Sequence, residues 1–312
     1  MKIAVLGGAG AMGGIFGARL SAAGHDVTLI DVNAVAVNLI NRDGLKIDAK
    51  DGTSKTYRVK ASTKPGEVGP VDVIMNFVKC YHTESAVRSA LPMMDGKTAF
   101  LTLQNGWGNA PKITAIAGDG RVMVGLTYHS GTLLGPGHVK HPGQGMTYIG
   151  ELDGKTTTRL EAICDAFRSA ELDCTQSDKI LDEVWKKLCL NVCTLPTSAL
   201  LRFFAHQLVQ HEGMKAEMRA LLIEAVNVAK AQGITIDLDE RWFAITSLLE
   251  KAIGGKSSML QDVEAKRRTE IEVINGAIVA AGLKYKVPTP HNDAMSNLIS
   301  SLEQSYLVEA KA

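Results

Sequence analysis

Aromatic residues are scarce in this chain, at 5% of positions, and neither sign of charge is in surplus: 34 Lys and Arg face 33 Asp and Glu. The charges are mixed along the length, so there is no basic stripe to neutralise nucleic-acid phosphates or dock on an anionic membrane. No apolar run reaches the ~18 residues that suggest a membrane span. The chain opens directly on an apolar strand pattern, so no signal peptide is expected and a soluble, cytoplasmic protein is. Cysteines number five (80, 164, 174, 189 and 193), an odd count without disulfide-framework spacing. Cys189 and Cys193 stand four apart, but nothing nearby completes a zinc quartet. Reduced thiols and no metal are expected.

What is present is ample apolar material: 46% of 312 residues. Single cores stop growing near ~250–300 residues, so about two domains are expected. The run Lys2–Leu6 reads as a strand and is followed by Gly7-Gly8-Ala9-Gly10-Ala11-Met12-Gly13-Gly14. A helical pattern follows to Gly24, then a second strand, Val27–Ile30, ending at Asp31. Strand, glycine turn, helix and strand, with Gly8-x-Gly10-x-x-Gly13 at the turn, form a dinucleotide-binding fingerprint. Glycines there allow a tight turn, close approach to a pyrophosphate and tight helix–strand packing. Gly8, Gly10, Ala11, Met12 and Gly13 are therefore the expected cradle. The extra Gly7 leaves the register of the first glycine open by one. A carboxylate at Asp31 can accept from a ribose 2′-OH and repels a 2′-phosphate, which favours NAD(H), with NADP(H) the alternative.

Further strands follow. Residues 48–59 read as a hairpin turning at Asp51-Gly52. Residues 71–79 and 98–106 read as buried parallel strands, each followed by helical sequence. Lys79 and Asn105 then lie just past carboxyl ends, the rim where open α/β sheets bind ligands. Trp107 reads as packing. Residues 128–145, rich in Gly and Pro, read as a loop whose histidines 129, 138 and 141 lack metal-ligand spacing.

After residues 172–176, a last strand, the pattern turns helical. Helices are expected over about 178–194, 212–232, 238–253, 269–284 and 290–307. The fold class is thus α/β with a Rossmann-type domain over 1–177 and an all-helical domain over 178–312. In the first of these helices, Ile180, Val184, Lys187, Leu188 and Asn191 fall within one arc. Lys186 points about 100° away, toward Asp182 and Glu183, as a surface charge. Lys187 and Asn191 instead intrude on the apolar face. Glu270 is the counterpart oddity: on a helix it shares its face with Val273, Ile274, Ala277 and Ala281. A core-facing carboxylate needs a cation. Lys187 is the obvious one, either as a structural ion pair or as a catalytic lysine held by a glutamate.

These residues resemble the ketopantoate reductases (2-dehydropantoate 2-reductases) along essentially the whole chain. The likeness is carried by the G-A-G-A-M-G turn, Lys79, QNG at 104–106, WKKLCLN at 185–191 and SSMLQDVEAKRRTEIEVING at 257–276. It implies a Rossmann domain followed by a helical one, an active site between them, and reduction of ketopantoate to (R)-pantoate with NADPH in pantothenate biosynthesis. By motif position it implies a general-acid lysine at Lys187 and a substrate-orienting glutamate at Glu270. Substrate hydrogen bonds would come from Asn105, Asn191 and Ser258. Two departures stand out. NADPH-using members commonly have arginine where this chain has Asp31. A second asparagine often precedes the helix proline, where this chain has Leu195 before Pro196, making the pocket more apolar. Both fit relatives that reduce other branched or aromatic 2-oxo acids with NADH to D-2-hydroxy acids.

Two rival readings differ in their marks. A β-hydroxyacid dehydrogenase shares K-x-x-x-N, met here by Lys187 and Asn191, but carries a D-x-P-V-S-G-G-type stretch that is missing. An NAD-binding redox sensor would have lost part of the Lys187, Glu270 and Ser258 set. A small-molecule 2-oxo acid is the expected partner, with neither nucleic acid nor membrane, and the C-terminal helices are long enough to support a homodimer.

Overall fold

The computed structural model describes residues 1–307. By contacts the chain divides into two units, one of residues 1–104 and 109–181, the other of residues 105–108 and 182 onward. A sequence division near residue 178 leaves the loop 105–108 with the sheet; it groups instead with the helices.

The first unit holds twelve strands. They are β1 (Lys2–Leu6), β2 (Asp26–Ile30), β3 (Leu45–Ala49), β4 (Ser54–Tyr57), β5 (Lys60–Ser62), β6 (Val73–Asn76), β7 (Ala99–Thr102), β8 (Val122–Thr127), β9 (Ser130–Gly135), β10 (His138–Gly143), β11 (Thr147–Glu151) and β12 (Cys174–Gln176). Its helices are α1 (Ala11–Ala22), α2 (Ala34–Asp43), α3 (Thr83–Ala90), α4 (Asn109–Ala117) and α5 (Thr158–Ser169). The large sheet runs β12-β11-β8-β7-β6-β1-β2-β5. From β5 to β8 every pairing is parallel, and only β11 runs against its neighbour β8. Counting the parallel strands in chain order gives 3-2-1-4-5-6, the doubly wound Rossmann arrangement, with its switch point between β1 and β6.

The period of two along β1 shows why these runs are apolar throughout. Ile3 and Val5 enter the core with α1, α2 and α5, while Ala4 and Leu6 enter the opposite core with α3 and α4. Strands covered on both faces have no polar side to present. A second sheet, β4-β3-β10-β9, carries the expected hairpin at its β3–β4 turn, where Gly52 has φ +86°.

Residues 128–145 are not a loop but the β9–β10 hairpin. His129 and His141 are buried there, their rings stacked and joined Nδ1 to Nε2 at 3.0 Å. Burial and the nearby His141 and Arg19 charges push the His129 pKa down to about 4, so it is neutral near pH 7. His138 pairs with Asp48 at 2.8 Å. Glycine and proline density concealed a hairpin because the strand signal sits in only a few residues.

The second unit contains α6 (Ile180–Leu201, from Asp182 onward), α7 (Glu212–Ala231), α8 (Leu238–Lys251), α9 (Ser258–Glu264), α10 (Asn275–Tyr285) and α11 (Pro290–Leu307). Two helix expectations are corrected. The lysine helix does not stop at 194 but continues through Pro196 to Leu201. The expected helix over 269–284 is broken: a 3₁₀ turn at Ile271–Val273 precedes α10, and Ile274 between them has φ −107° and ψ −96°. Glu270 is therefore not on a helix face with Val273 and Ala277. Helix α9 was not anticipated because its seven residues are too short for a periodic signal.

A half-buried ion pair ties β11 to α5. The Glu151 carboxylate, 4% exposed, accepts from Arg159 at 2.7 and 2.5 Å and from Thr157 at 2.6 Å. Arg159→Ala strands that carboxylate and is expected to lower stability by about 2–3 kcal/mol; a denaturant midpoint equal to that of the unaltered protein would contradict this.

Candidate active site

The glycine turn lies at the switch point of the large sheet. Gly7 and Gly8 donate to Ile30 O at 2.9 and 3.1 Å, tying the turn after β1 to the end of β2. Gly7 adopts φ +73°, so it is the left-handed residue, and Gly8 follows it in the same turn. A Cβ on Gly8 would lie 2.6 Å from Leu29 Cβ, and one on Gly13 would lie 2.4 Å from Gly7 O. Both glycines are thus required by packing. Gly10 caps α1 with no side-chain acceptor, so the N–H groups of Ala11, Met12 and Gly13 open the helix without a protein cap. This cradle fits the pyrophosphate of a dinucleotide.

Asp31 is held over the same turn. Its Oδ2 accepts from Ala9 N at 3.0 Å and its Oδ1 from Asn33 N at 3.0 Å. Lys79 lies past β6, leading into a short 3₁₀ turn at Cys80–His82. Gln104 joins the loops after β6 and β7. Its Oε1 accepts from Asn76 Nδ2 at 2.8 Å, and its Nε2 donates to Val78 O and Thr83 Oγ1, each at 2.8 Å.

In the helical unit, the wheel separates the two lysines as drawn. Lys186 Nζ pairs with Glu183 Oε1 at 2.8 Å on the exposed side. Lys187 Nζ instead donates to Asn105 Oδ1 at 3.0 Å. Burial pushes the Lys187 pKa down to about 8, and the nearby Glu270 carboxylate offsets part of that fall. Glu270 is itself buried, though not on the helix expected for it. Asn191 lies one turn along α6 and Leu195 the next, both buried. Ser258 opens α9, where the preceding Ser257 caps Leu260 N and donates to Ser198 Oγ at 3.0 Å.

Sequence reasoning missed what holds Asn105. Gly106 has φ +86°, and a Cβ there would lie 2.3 Å from Val273 O. Trp107 N donates to that same carbonyl at 2.8 Å. The Trp107 ring packs on the fully buried Trp185, centroids 5.3 Å apart. The loop bearing Asn105 is thereby fastened to the turn after Glu270 and to the helix of Lys187. The available signal was the glycine directly after Asn105.

Two family profiles match the chain: "Ketopantoate reductase PanE/ApbA" over residues 3–154 and "Ketopantoate reductase PanE/ApbA C terminal" over residues 179–303. The chain belongs to the ketopantoate reductase family. It is 33% identical to a 2-dehydropantoate 2-reductase of Pyrococcus abyssi over 97% of this chain and 98% of the relative. A 2-dehydropantoate 2-reductase of Halobacterium salinarum is 30% identical, over 95% and 97%. Among solved structures, a D-mandelate dehydrogenase with NADH and anilino(oxo)acetate superposes with TM-score 0.93 at 29% identity, over 98% and 99% of the two chains. A PanE/ApbA family ketopantoate reductase from Ralstonia eutropha gives 0.90 at 30% identity, over 98% and 100%. For this ketopantoate reductase family chain, among the described residues, no helix is long and apolar enough to cross a membrane.

The charge relation at Lys187 is measurable without turnover. In ¹⁵N-lysine spectra its Nζ is expected to titrate near pH 8, and Glu270→Gln to move that midpoint lower, since the offsetting carboxylate is gone. A midpoint unmoved by Glu270→Gln would show that Glu270 does not act on this ammonium.

Proposed function

We propose that this oxidoreductase reduces the C2 carbonyl of a 2-oxo acid to the 2-hydroxy acid, with NAD(H) as its preferred cofactor. The observation that carries this reading is the Lys187 Nζ donating to Asn105 Oδ1 at 3.0 Å on the apolar side of α6, with the Glu270 carboxylate favouring its charged form. Gly8, Gly10, Ala11, Met12 and Gly13 would hold the pyrophosphate, with Lys79 and Asn105, each just past the end of a strand, as further contacts and Asp31 accepting from the ribose. Bound there, a nicotinamide dinucleotide supplies the hydride.

The chain's own residues supply the rest. As C2 gains a hydride, charge grows on the carbonyl oxygen; Lys187 Nζ stabilises it and gives up a proton, leaving a neutral amine and a hydroxyl. Asn105 accepts from the ammonium and so fixes its direction. Glu270 favours the charged form of the lysine over the neutral one, keeping a proton available near neutral pH. Asn191 and Ser258 orient the substrate carboxylate and side chain, aligning C2.

The family supports 2-dehydropantoate as substrate, giving (R)-pantoate. A second reading, other branched or aromatic 2-oxo acids, is favoured by Leu195. This buried apolar side chain stands two turns from Lys187 along α6. An apolar wall offers a substrate hydroxyl no hydrogen bond. The NADH-bound D-mandelate dehydrogenase neighbour supports both the second reading and the nucleotide preference.

Lys187→Ala is expected to lower kcat on the order of 10³-fold, whereas Lys186→Ala changes it less than about twofold, as for a surface ion pair. Equal losses in steady-state assays would refute the separation of the two lysines. A panel of 2-dehydropantoate, 4-methyl-2-oxopentanoate and phenylglyoxylate with each nucleotide tests the substrate. The expected result is a higher kcat/KM with NADH, and a Leu195→Asn variant shifted toward 2-dehydropantoate by roughly tenfold, the scale of one modest contact. Relative kcat/KM values unchanged in that variant remove Leu195 from the specificity account, and no turnover on any member favours a sensor.

A further inference from the structure

Proline inside a helix removes one N–H and crowds the carbonyl four residues back. In α6 that residue is Pro196, and the carbonyl is Val192 O. The N–H that would ordinarily reach Val192 O does not exist. The stretch is buried continuously from Asn191 to Ala199, so the carbonyl lies where an unmet acceptor is costly.

Asn275 Nδ2, fully buried at the start of α10, donates to Val192 O at 3.1 Å. The same nitrogen donates to Asn292 Oδ1 at 3.0 Å. Two acceptors on one side fix the amide orientation, because the reverse placement would set oxygen against oxygen. That orientation leaves Asn275 Oδ1 without a donor.

Asn292 is fixed in turn. Its Nδ2 donates to Leu221 O at 3.2 Å and to Glu224 Oε2 at 2.8 Å, leaving its Oδ1 toward Asn275. Glu224 also accepts from His291 N and Asn292 N, each at 2.9 Å, so its carboxylate caps the N-terminus of α11. A chain of hydrogen bonds thus runs from a carboxylate on α7 through the start of α11 and α10 to the proline gap in α6. Around the gap, Thr197 Oγ1 donates to Cys193 O at 2.7 Å and Thr194 Oγ1 to Leu190 O at 2.8 Å, but neither reaches Val192 O.

We propose that Asn275 is a positioning residue for the reaction. By donating to the carbonyl that Pro196 leaves unmet, it keeps α6 helical across the proline and so sets Asn191 and Leu195 in their places. Asn191 precedes Val192 and Leu195 precedes Pro196, so both candidate substrate contacts flank the repaired bond. A slackened helix there moves the substrate wall without touching the glycine cradle.

The proposal rests on the 2-oxo acid reductase reading, so the test has one arm that needs no turnover. Hydrogen exchange over the amides of residues 190–198 is compared in the wild type, Asn275→Ala, Pro196→Ala and the double variant. Asn275→Ala is expected to accelerate exchange at least about tenfold. In the Pro196→Ala background, where residue 196 regains its N–H, the same change is expected to accelerate it less than about threefold. The kinetic arm uses whichever of 2-dehydropantoate and 4-methyl-2-oxopentanoate the wild type reduces. Asn275→Ala is expected to raise KM for that 2-oxo acid about tenfold with nucleotide KM within twofold, and the Pro196→Ala background to suppress the rise. A role in stability alone lowers the melting temperature and leaves both constants unmoved, which overturns the proposal. Equal effects of Asn275→Ala in the two backgrounds overturn it as well, because Val192 O is then not the group served. If Asn275→Ala does not fold, Asn275→Gln, which displaces the same donors on a longer arm, is read against the same outcomes. Failure of wild-type turnover counts against the reductase reading, and the exchange arm still decides this one.

Discussion

The half-buried Lys187 ammonium links three parts of the helical unit: its own helix, the loop of Asn105 and the turn of Glu270. An isolated charge in low dielectric is expensive, and burial already brings the Lys187 pKa down to about 8. The charge persists near neutral pH because it has both a hydrogen-bond acceptor, Asn105 Oδ1 at 3.0 Å, and a carboxylate, Glu270, in its field. Neither partner is near it in sequence, so each must be held by something else. Asn105 sits in a loop fastened through Gly106 and Trp107 to Val273 O. Glu270 follows Thr269, whose N–H donates to the buried Glu303 on α11 at 2.7 Å, with its hydroxyl bonded to the same oxygen. Val273 joins the two supports, its carbonyl accepting from Trp107 N and its N–H donating to Glu270 O at 3.2 Å, so displacing either partner leaves the lysine less well compensated.

Conformations that local propensity disfavours occur where these supports act. Gly106 takes a left-handed φ at a place where a side chain would also strike Val273, and Ile274 breaks the helix just after the Glu270 turn. Pro196 stands in the middle of α6. Each departs from regular secondary structure: Gly106 directly follows Asn105, Pro196 directly follows Leu195, and Ile274 ends the turn that begins at Glu270. Local exceptions of this kind are expected where geometry is set by chemistry and not by packing.

The same contrast explains what the sequence made legible. The Rossmann half was readable because its signals are local: a glycine turn between a strand and a helix, an aspartate at the end of β2, and apolar runs buried on both faces. The separation of Lys186 from Lys187 was readable because both lie on one regular helix. Glu270 was identified from a helix that does not exist; its burial was inferred correctly, for the wrong local reason. The apolar neighbours Val273 and Ile274 are buried through a 3₁₀ turn and a break, which a 3.6-residue wheel cannot distinguish from a helix. The continuation of α6 past Thr194 was unreadable for a related reason. Proline in a helix interior disfavours its continuation, and the donor that meets the freed carbonyl here, Asn275, is 83 residues away from Val192.

Asp31, proposed to choose the nucleotide, and Leu195, proposed to choose the substrate, belong to different units. Asp31 is bound through both carboxylate oxygens to the backbone of residues 9 and 33, so its charge is fixed beside the turn and cannot swing away from a 2′-phosphate. Leu195, by contrast, is fixed by helix continuity across Pro196. An arginine replacing Asp31 would have to abandon two backbone hydrogen bonds as well as reverse a charge, whereas a polar residue replacing Leu195 would need only a partner on the substrate. The two preferences therefore have unequal resistance to change. On the roles proposed above, single substitutions along α6 would change the substrate wall while leaving the glycine turn, its aspartate and the proton donor proposed at Lys187 as they are.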